Sequence, residues 1–188
     1  MDYILSNNVS EKYHAVWIAP ERTGSRTVAQ ILNYFGFRHN LGPIDLLGGI
    51  QNYSHHFSDP ELFNDWLHIC NARNPYARTY SVFKMIDKQK GESFKDFILQ
   101  RKFNHPNYEM LTKPTFLKKP EYVLRLENLK EDFLKIPFVR NNLTETQLDY
   151  MCTHGKELTS WEIHYNDEMK EIVYEMTKHQ FDAWGYEK

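Results

Sequence analysis

The sequence predicts an α/β fold, a three-layer sandwich with a central parallel sheet between layers of helices. Three short apolar segments, each bounded by polar or turn residues, are typical of strands that are buried on both faces. They span residues 14–19 (HAVWIA), 66–72 (WLHICNA) and 121–126 (EYVLRL). Helical patterns separate and follow these segments, and strands that alternate with helices favour a parallel sheet covered on both faces.

The first helical pattern is 25–35, where apolar side chains recur at helical spacing and Gly36 follows as a stop. The segment 75–86 opens with a proline, which suits the first turn of a helix. Ser58 and Glu61 have the spacing of a capping box, which predicts another helix start. Further helices are predicted at 92–101, 144–154 and 166–184.

The composition is that of a globular protein. Of the 188 residues, 41% are hydrophobic and 15% aromatic, which excludes a disordered or low-complexity chain. This length is enough to bury a continuous core, and neither a repeat nor a shift in composition marks a boundary. We therefore expect a single domain over residues 1–188.

The charges are nearly balanced, with 23 basic and 25 acidic residues and a net charge of −2. This balance argues against nucleic acid or a membrane surface as a partner, although it permits a local basic pocket. Two cysteines do not make a disulfide framework, and the N-terminus lacks the pattern of a signal peptide. No apolar run approaches the roughly 20 residues that span a bilayer. The chain is therefore expected to be cytoplasmic.

The loop after the first predicted strand has the composition of an anion site. Its sequence is APERTGSRT, and it leads into the N-terminus of a predicted helix, where backbone N–H groups and the helix dipole favour an anion. Gly24 allows a ligand close to the backbone, Ser25 and Thr27 carry hydroxyls, and Arg22 and Arg26 carry guanidinium groups suited to phosphate or sulfate. The alternative is an ordinary strand-to-helix turn, with Ser25 as the N-cap and both arginines solvated.

The same loop is not a Walker A motif. That motif needs two glycines at fixed spacing and a lysine, and this loop has one glycine and no lysine. Aspartate-rich arrangements and Cys/His spacings typical of metal sites are not evident either. We therefore expect the anion to be bound without a metal ion.

A second stretch, CNARNPYARTYSVF, repeats the order of strand end, arginine, turn and helix. Arg73 stands at the strand exit, and Ser81 lies about two helical turns, or roughly 11 Å, beyond Asn74. Two such sites at the end of one sheet suggest a ligand with two separated anionic groups.

These two stretches resemble the nucleotide-binding motifs of sulfotransferases. PERTGSRT resembles the 5′-phosphosulfate loop of that family, and ARNPYARTYSVF resembles its 3′-phosphate motif, in which a serine follows the arginine by eight positions. Weaker similarity continues through YVLRLENLKEDF and through the last helix, which ends in an aspartate and a Gly-Tyr. The resemblance is to small, bacterial- or phage-like, carbohydrate-type members. It implies a P-loop-like sulfotransferase fold and the donor 3′-phosphoadenosine-5′-phosphosulfate (PAPS).

The resemblance also implies roles for individual residues. It assigns Arg73 and Ser81 to the 3′-phosphate. It assigns the 5′ end of the donor to residues of the first loop: Arg22, Thr23, Gly24, Ser25, Arg26 and Thr27. Arg22 stands where many members have lysine, and Arg26 stands where a second Thr or Ser is common, so Arg26 either holds the 5′-phosphate or points outward.

Transfer of a sulfuryl group to a hydroxyl calls for a cation at the leaving oxygen and for a base at the acceptor. Arg22 can meet the charge on the leaving oxygen. Histidine suits the base, and His55 and His56 lie upstream of the second motif. In the family a histidine followed by an apolar residue and Ser or Thr often precedes the Arg-Asn-Pro strand, so the run HFS favours His56 over His55. A solvated pair of loop histidines is the alternative.

The expected function is therefore a PAPS-dependent sulfotransferase that acts on an acceptor hydroxyl, with adenosine 3′,5′-bisphosphate (PAP) as product. A carbohydrate or another small molecule is the expected acceptor, and no sequence feature identifies it. Two alternatives stay open: a non-catalytic protein that binds a phosphorylated adenosine, and a small-molecule kinase.

Overall fold

A computed structural model describes residues 9–20, 22–37, 65–86, 91, 93–99, 120–153 and 160–188. The described residues fall into two compact units. The first comprises those within Met1–Ala72 and Thr115–Lys156, and the second those within Arg73–Pro114 and Glu157–Lys188. The expectation of one domain over 1–188 concerns the whole chain and stays a prediction.

The first unit contains a four-stranded mixed sheet in the order β1-β2-β3-β4. Its strands are β1 (Val9–Ser10), β2 (Ala15–Ile18), β3 (Leu67–Ala72) and β4 (Tyr122–Arg125). β2, β3 and β4 run parallel, while β1 pairs antiparallel with β2. The α/β class and the three predicted parallel strands are confirmed, and the short antiparallel strand is an addition that makes the sheet mixed rather than parallel throughout.

Four helices belong to the first unit: α1 (Ser25–Leu32), α4 (Leu129–Phe133), α5 (Pro137–Arg140) and α6 (Glu145–Thr153). α1 forms on the predicted segment, and a 3₁₀ turn, Asn33–Phe35, completes it before Gly36 adopts φ +82°. One face of the sheet, with Trp17, Ile69 and Leu124, packs with the apolar side chains of these helices in a single core. Alternation along each strand therefore selects the residues that face the helices.

The junction after β4 is held by a buried carboxylate. Asp132 in α4 is 1% exposed and accepts hydrogen bonds from the Arg125 backbone N–H (3.0 Å), Nε (3.0 Å) and Nη2 (2.8 Å). Lys135 Nζ also donates to it, at 2.6 Å. Burial acts to raise the pKa of Asp132, but these hydrogen bonds outweigh burial, and the pKa lies below its ordinary value. The ionised carboxylate therefore stabilises the turn that leads from the sheet into α4.

The second unit is helical among its described residues, with α2 (Pro75–Ile86), α3 (Phe94–Leu99) and α7 (Asp167–Trp184). α2 has the predicted bounds, and α3, α6 and α7 lie within the segments predicted at 92–101, 144–154 and 166–184. The Asn166 side chain accepts from the Met169 backbone N–H at the start of α7, and Gly185 ends that helix at φ +69°. The helix start predicted at Ser58 lies outside the described residues.

The finer three-layer, P-loop-like arrangement stays a prediction. Across the described part of the chain, no helix combines the length and apolar character that crossing a membrane requires.

Candidate functional site

The loop between β2 and α1 is built around a glycine that no other residue can replace without cost. Gly24 has φ +83° and ψ +25°, in the left-handed region, and is the N-cap of α1. Its carbonyl accepts hydrogen bonds from the Thr27 and Val28 backbone N–H groups, at 3.1 and 3.2 Å. A Cβ at this position would lie 2.5 Å from Leu126 Cδ1. Glycine is thus required both for backbone conformation and for the close approach of Leu126.

The Thr23 side chain closes the same loop from inside. It is fully buried, and its hydroxyl donates to the Pro20 carbonyl at 2.5 Å. The hydroxyl of Thr23 therefore holds the turn, which leaves the backbone of Thr23 for the predicted contact with a ligand.

Among the described residues around the start of α1, which do not include Glu21, the polar side chains are cationic or neutral. Arg22, with φ +64°, and Arg26 are exposed, Ser25 is half-buried, and Thr27 is nearly buried. The first turn of α1 contains no acidic residue, and no side chain caps its N-terminus. Ser25 is the first helical residue and Gly24 is the N-cap, so Ser25 does not cap this turn, while the exposure of both arginines also agrees with the alternative of an ordinary turn. The helix dipole and two exposed guanidinium groups together favour an anion here.

The second predicted motif begins the second unit. Asn74 is the cap of α2, since its Oδ1 accepts from the Tyr76 and Ala77 backbone N–H groups at 3.0 and 3.4 Å. Arg73, just before this cap, and Ser81, two turns into α2, are each 7% exposed. A guanidinium and a hydroxyl that are this deeply buried are polar groups that the surroundings must satisfy.

Three aromatic residues of the second unit, Tyr76, Trp161 and Tyr165, pack against one another. The Tyr76 ring is stacked with Trp161, with centroids 5.6 Å apart, and meets Tyr165 edge to face at 5.5 Å. The Tyr165 hydroxyl donates to the Tyr76 carbonyl at 2.9 Å, and burial raises the pKa of Tyr165 well above its ordinary value. Tyr76 and Tyr165 therefore contribute to the core of the second unit. Trp161 is half-exposed, and its indole makes no hydrogen bond among the described contacts.

His55 and His56, the predicted bases, lie outside the described residues. Within the ranges that the structure describes, no group of three or more His, Cys, Asp or Glu side chains is arranged to hold a metal ion.

One polar residue in the first unit escaped sequence analysis. Asn71 lies in β3 and is fully buried, and its Oδ1 accepts a hydrogen bond from Trp17 Nε1 at 2.8 Å. The sequence signal for this residue is an asparagine within a predicted strand whose other residues are apolar, cysteine or histidine. The apolar pattern of that segment predicts a buried strand and assigns no role to the asparagine.

Comparison of the chain with protein-family models, with curated proteins and with solved structures found no match in any of the three. The resemblance to sulfotransferases therefore rests on the motifs of the sequence.

Proposed function

We propose that this protein is a metal-independent, cytoplasmic sulfotransferase that transfers a sulfuryl group from PAPS to the hydroxyl of a carbohydrate or another small molecule. The observation that carries the proposal is the loop before α1. A left-handed glycine packed against Leu126 begins an uncapped helix at the carboxyl end of a parallel strand, between two exposed arginines. In parallel α/β sheets this position is the usual ligand site.

The loop suits the 5′ end of the donor in shape and in charge. Leu126 takes the space that a Cβ at Gly24 would need, which fixes the loop at the start of α1, and the dipole of α1 favours phosphate or sulfate oxygens. In this proposal, the backbone of 23–25 and the hydroxyls of Ser25 and Thr27 hold the phosphosulfate. Arg22 then meets the negative charge that gathers on the leaving oxygen.

The start of α2 suits the 3′-phosphate. A guanidinium forms charge-assisted, often bidentate bonds to phosphate, and a serine hydroxyl adds a further donor. Arg73 and Ser81 are the residues of the second unit that the motif assigns to this role. Their burial excludes water, and a charge-assisted hydrogen bond is stronger where water is excluded.

The donor supplies an activated sulfuryl group, and the chain supplies binding, orientation and proton transfer. His56 is proposed to take the proton from the acceptor hydroxyl, with His55 as the alternative. In-line transfer needs no metal ion when guanidinium groups and backbone N–H groups balance the charge.

A thermal-shift series tests the proposal. Adenosine 3′,5′-bisphosphate at 100 times its Kd should raise the free energy of unfolding by about 2.7 kcal/mol, while AMP and ATP with Mg²⁺ should do much less. Stabilisation by ATP with Mg²⁺ alone would favour a kinase and overturn the proposal. Release of PAP from PAPS, screened over acceptor classes, then tests turnover.

A further inference from the structure

Asn71 is a buried amide at the carboxyl end of β3. It is 0% exposed and pairs in register with Leu124 of β4. Its side chain lies on the face of the sheet that carries Trp17 and Ile69, because strand residues two apart share a face. This is the face that packs with α1 in the core of the first unit.

The orientation of this amide is fixed by its partner. The Trp17 indole has only a donor, so the atom that accepts its hydrogen bond must be Oδ1 of Asn71. Nδ2 is therefore on the side that faces away from Trp17. Asn71 is the penultimate residue of β3, so its amide lies near the carboxyl end of the strand.

Nδ2 of Asn71 finds no hydrogen-bond acceptor among the described residues. A buried donor without an acceptor is costly in a folded protein, and such a group calls for an explanation. An apolar residue of similar size would remove this donor, although it would also remove the acceptor of the Trp17 N–H. The amide is thus a donor held in one orientation for a partner that the described chain does not supply.

The loop before α1 connects to both strands that flank β3. It begins at the end of β2 and reaches Gly24, which touches Leu126, the residue after β4. β3 lies between β2 and β4 in the sheet. The loop therefore spans the carboxyl end of β3 on its way from one neighbour to the other.

From this geometry we infer that Asn71 is a further binding residue of the anion site, and that Nδ2 donates a hydrogen bond to the anion held at the N-terminus of α1. The loop and helix supply donors from one side, and Asn71 supplies one from the strand beneath. Identification of that anion as the 5′ end of the donor rests on the proposed function.

Two substitutions test the inference. Asn71→Asp keeps an oxygen for the Trp17 N–H and replaces the donor with an acceptor, and Asn71→Leu removes both polar atoms at similar volume. The probes are adenosine 3′,5′-bisphosphate, adenosine 3′-monophosphate and inorganic sulfate, each measured by calorimetry or thermal shift at matched ionic strength. Thr177→Val, which removes the hydroxyl of a buried threonine in the second unit, is the control for loss of a buried polar group.

Both Asn71 variants should bind the bisphosphate about 10- to 100-fold more weakly, because a hydrogen bond to a charged group is lost. They should bind the 3′-monophosphate as the wild type does, and Thr177→Val should change neither affinity. Equal weakening for both nucleotides, or unchanged affinity for the bisphosphate, would overturn the inference while leaving the proposed function standing. The latter result would assign the partner of Nδ2 to an internal water.

A wild type that binds sulfate and neither nucleotide would sink the proposed function. The inference on Asn71 would then stand if its variants lose sulfate binding. If both variants fail to fold, the wild type still provides a test through the NMR signal of the Asn71 side-chain NH₂. Addition of sulfate or bisphosphate should shift that signal, and a signal that does not respond to saturating anion would refute the contact.

Discussion

At the scale of single residues, Gly24 is the position where backbone conformation and packing coincide. Gly24→Ala places a Cβ on a residue with φ +83° and brings it 2.5 Å from Leu126 Cδ1. The left-handed conformation costs a non-glycine residue about 1–2 kcal/mol, and displacement of Leu126 adds to it. We expect the free energy of unfolding, measured in urea, to fall by more than this strain alone.

A matched control separates strain from packing. Gly185 has φ +69°, and a Cβ there would meet no atom within 4 Å, so Gly185→Ala reports strain without a clash. The double variant Gly24→Ala/Leu126→Ala should recover part of the extra loss. Equal costs for Gly24→Ala and Gly185→Ala would mean that Leu126 does not restrict the loop.

Substitution of Arg73 tests whether the second motif contacts phosphate or only stabilises the second unit. Arg73→Ala should weaken binding of adenosine 3′,5′-bisphosphate by about 1.5–3 kcal/mol, the value of a lost charge-assisted bond. Adenosine 5′-phosphosulfate lacks the 3′-phosphate, so its affinity should change far less. Calorimetry with both ligands checks this, and equal losses would make the arginine structural.

At the scale of elements, the apolar patterns of the sequence predicted three of the strands and most of the helices. The elements that were not predicted have physical reasons for it. β2, β3 and β4 were predicted because parallel strands are apolar on both faces. β1 has two residues, which is too short for a periodic pattern of apolar side chains to predict it. α4 and α5 have five and four residues, and they depend on tertiary packing and on the Arg125–Asp132 pair more than on an amphipathic pattern.

The pair that joins β4 to α4 makes stability depend on pH. The pKa of Asp132 lies below its ordinary value of 3.8 in the fold, so the carboxylate stabilises the native state above pH 4. That contribution should be lost as the pH falls below 4, through the folded-state pKa. Asp132→Asn should cost about 2–4 kcal/mol at pH 7 and should flatten the fall in stability below pH 4.

Urea denaturation from pH 2.5 to 7 measures both effects. Asp149→Asn is the control, because Asp149 pairs with Lys130 at the surface. It should alter stability by less than about 0.5 kcal/mol. A steep acid limb that persists in Asp132→Asn would show that other groups dominate the acid response.

At the scale of the whole molecule, the sequence predicted the α/β class and the strand-to-helix loop before α1, because both depend on local pattern. It did not predict how the loop is closed. The Thr23–Pro20 bond is local to the loop, but the contact of Gly24 with Leu126 and the Trp17–Asn71 pair join residues whose proximity arises from the sheet order. Such contacts become visible only once β2, β3 and β4 are placed side by side.

Substitutions of His55 and His56 test whether the molecule is an enzyme or a non-catalytic nucleotide-binding protein. If His56 is the base, His56→Ala should leave affinity for PAP nearly unchanged, because the base touches the acceptor. Turnover of PAPS should fall by about 10²–10⁴, the usual contribution of a positioned base. His55→Ala is the matched control and should do much less if the segment is extended, since adjacent side chains then point to opposite faces. In the wild type, kcat/KM should rise with pH through the pKa of the base, and this rise should vanish in His56→Ala.

A larger loss of turnover in His55→Ala than in His56→Ala would assign the base to His55, and two fully active variants would exclude both histidines. A wild type that binds PAP and never turns over PAPS, across all acceptor classes, would make the protein a binder.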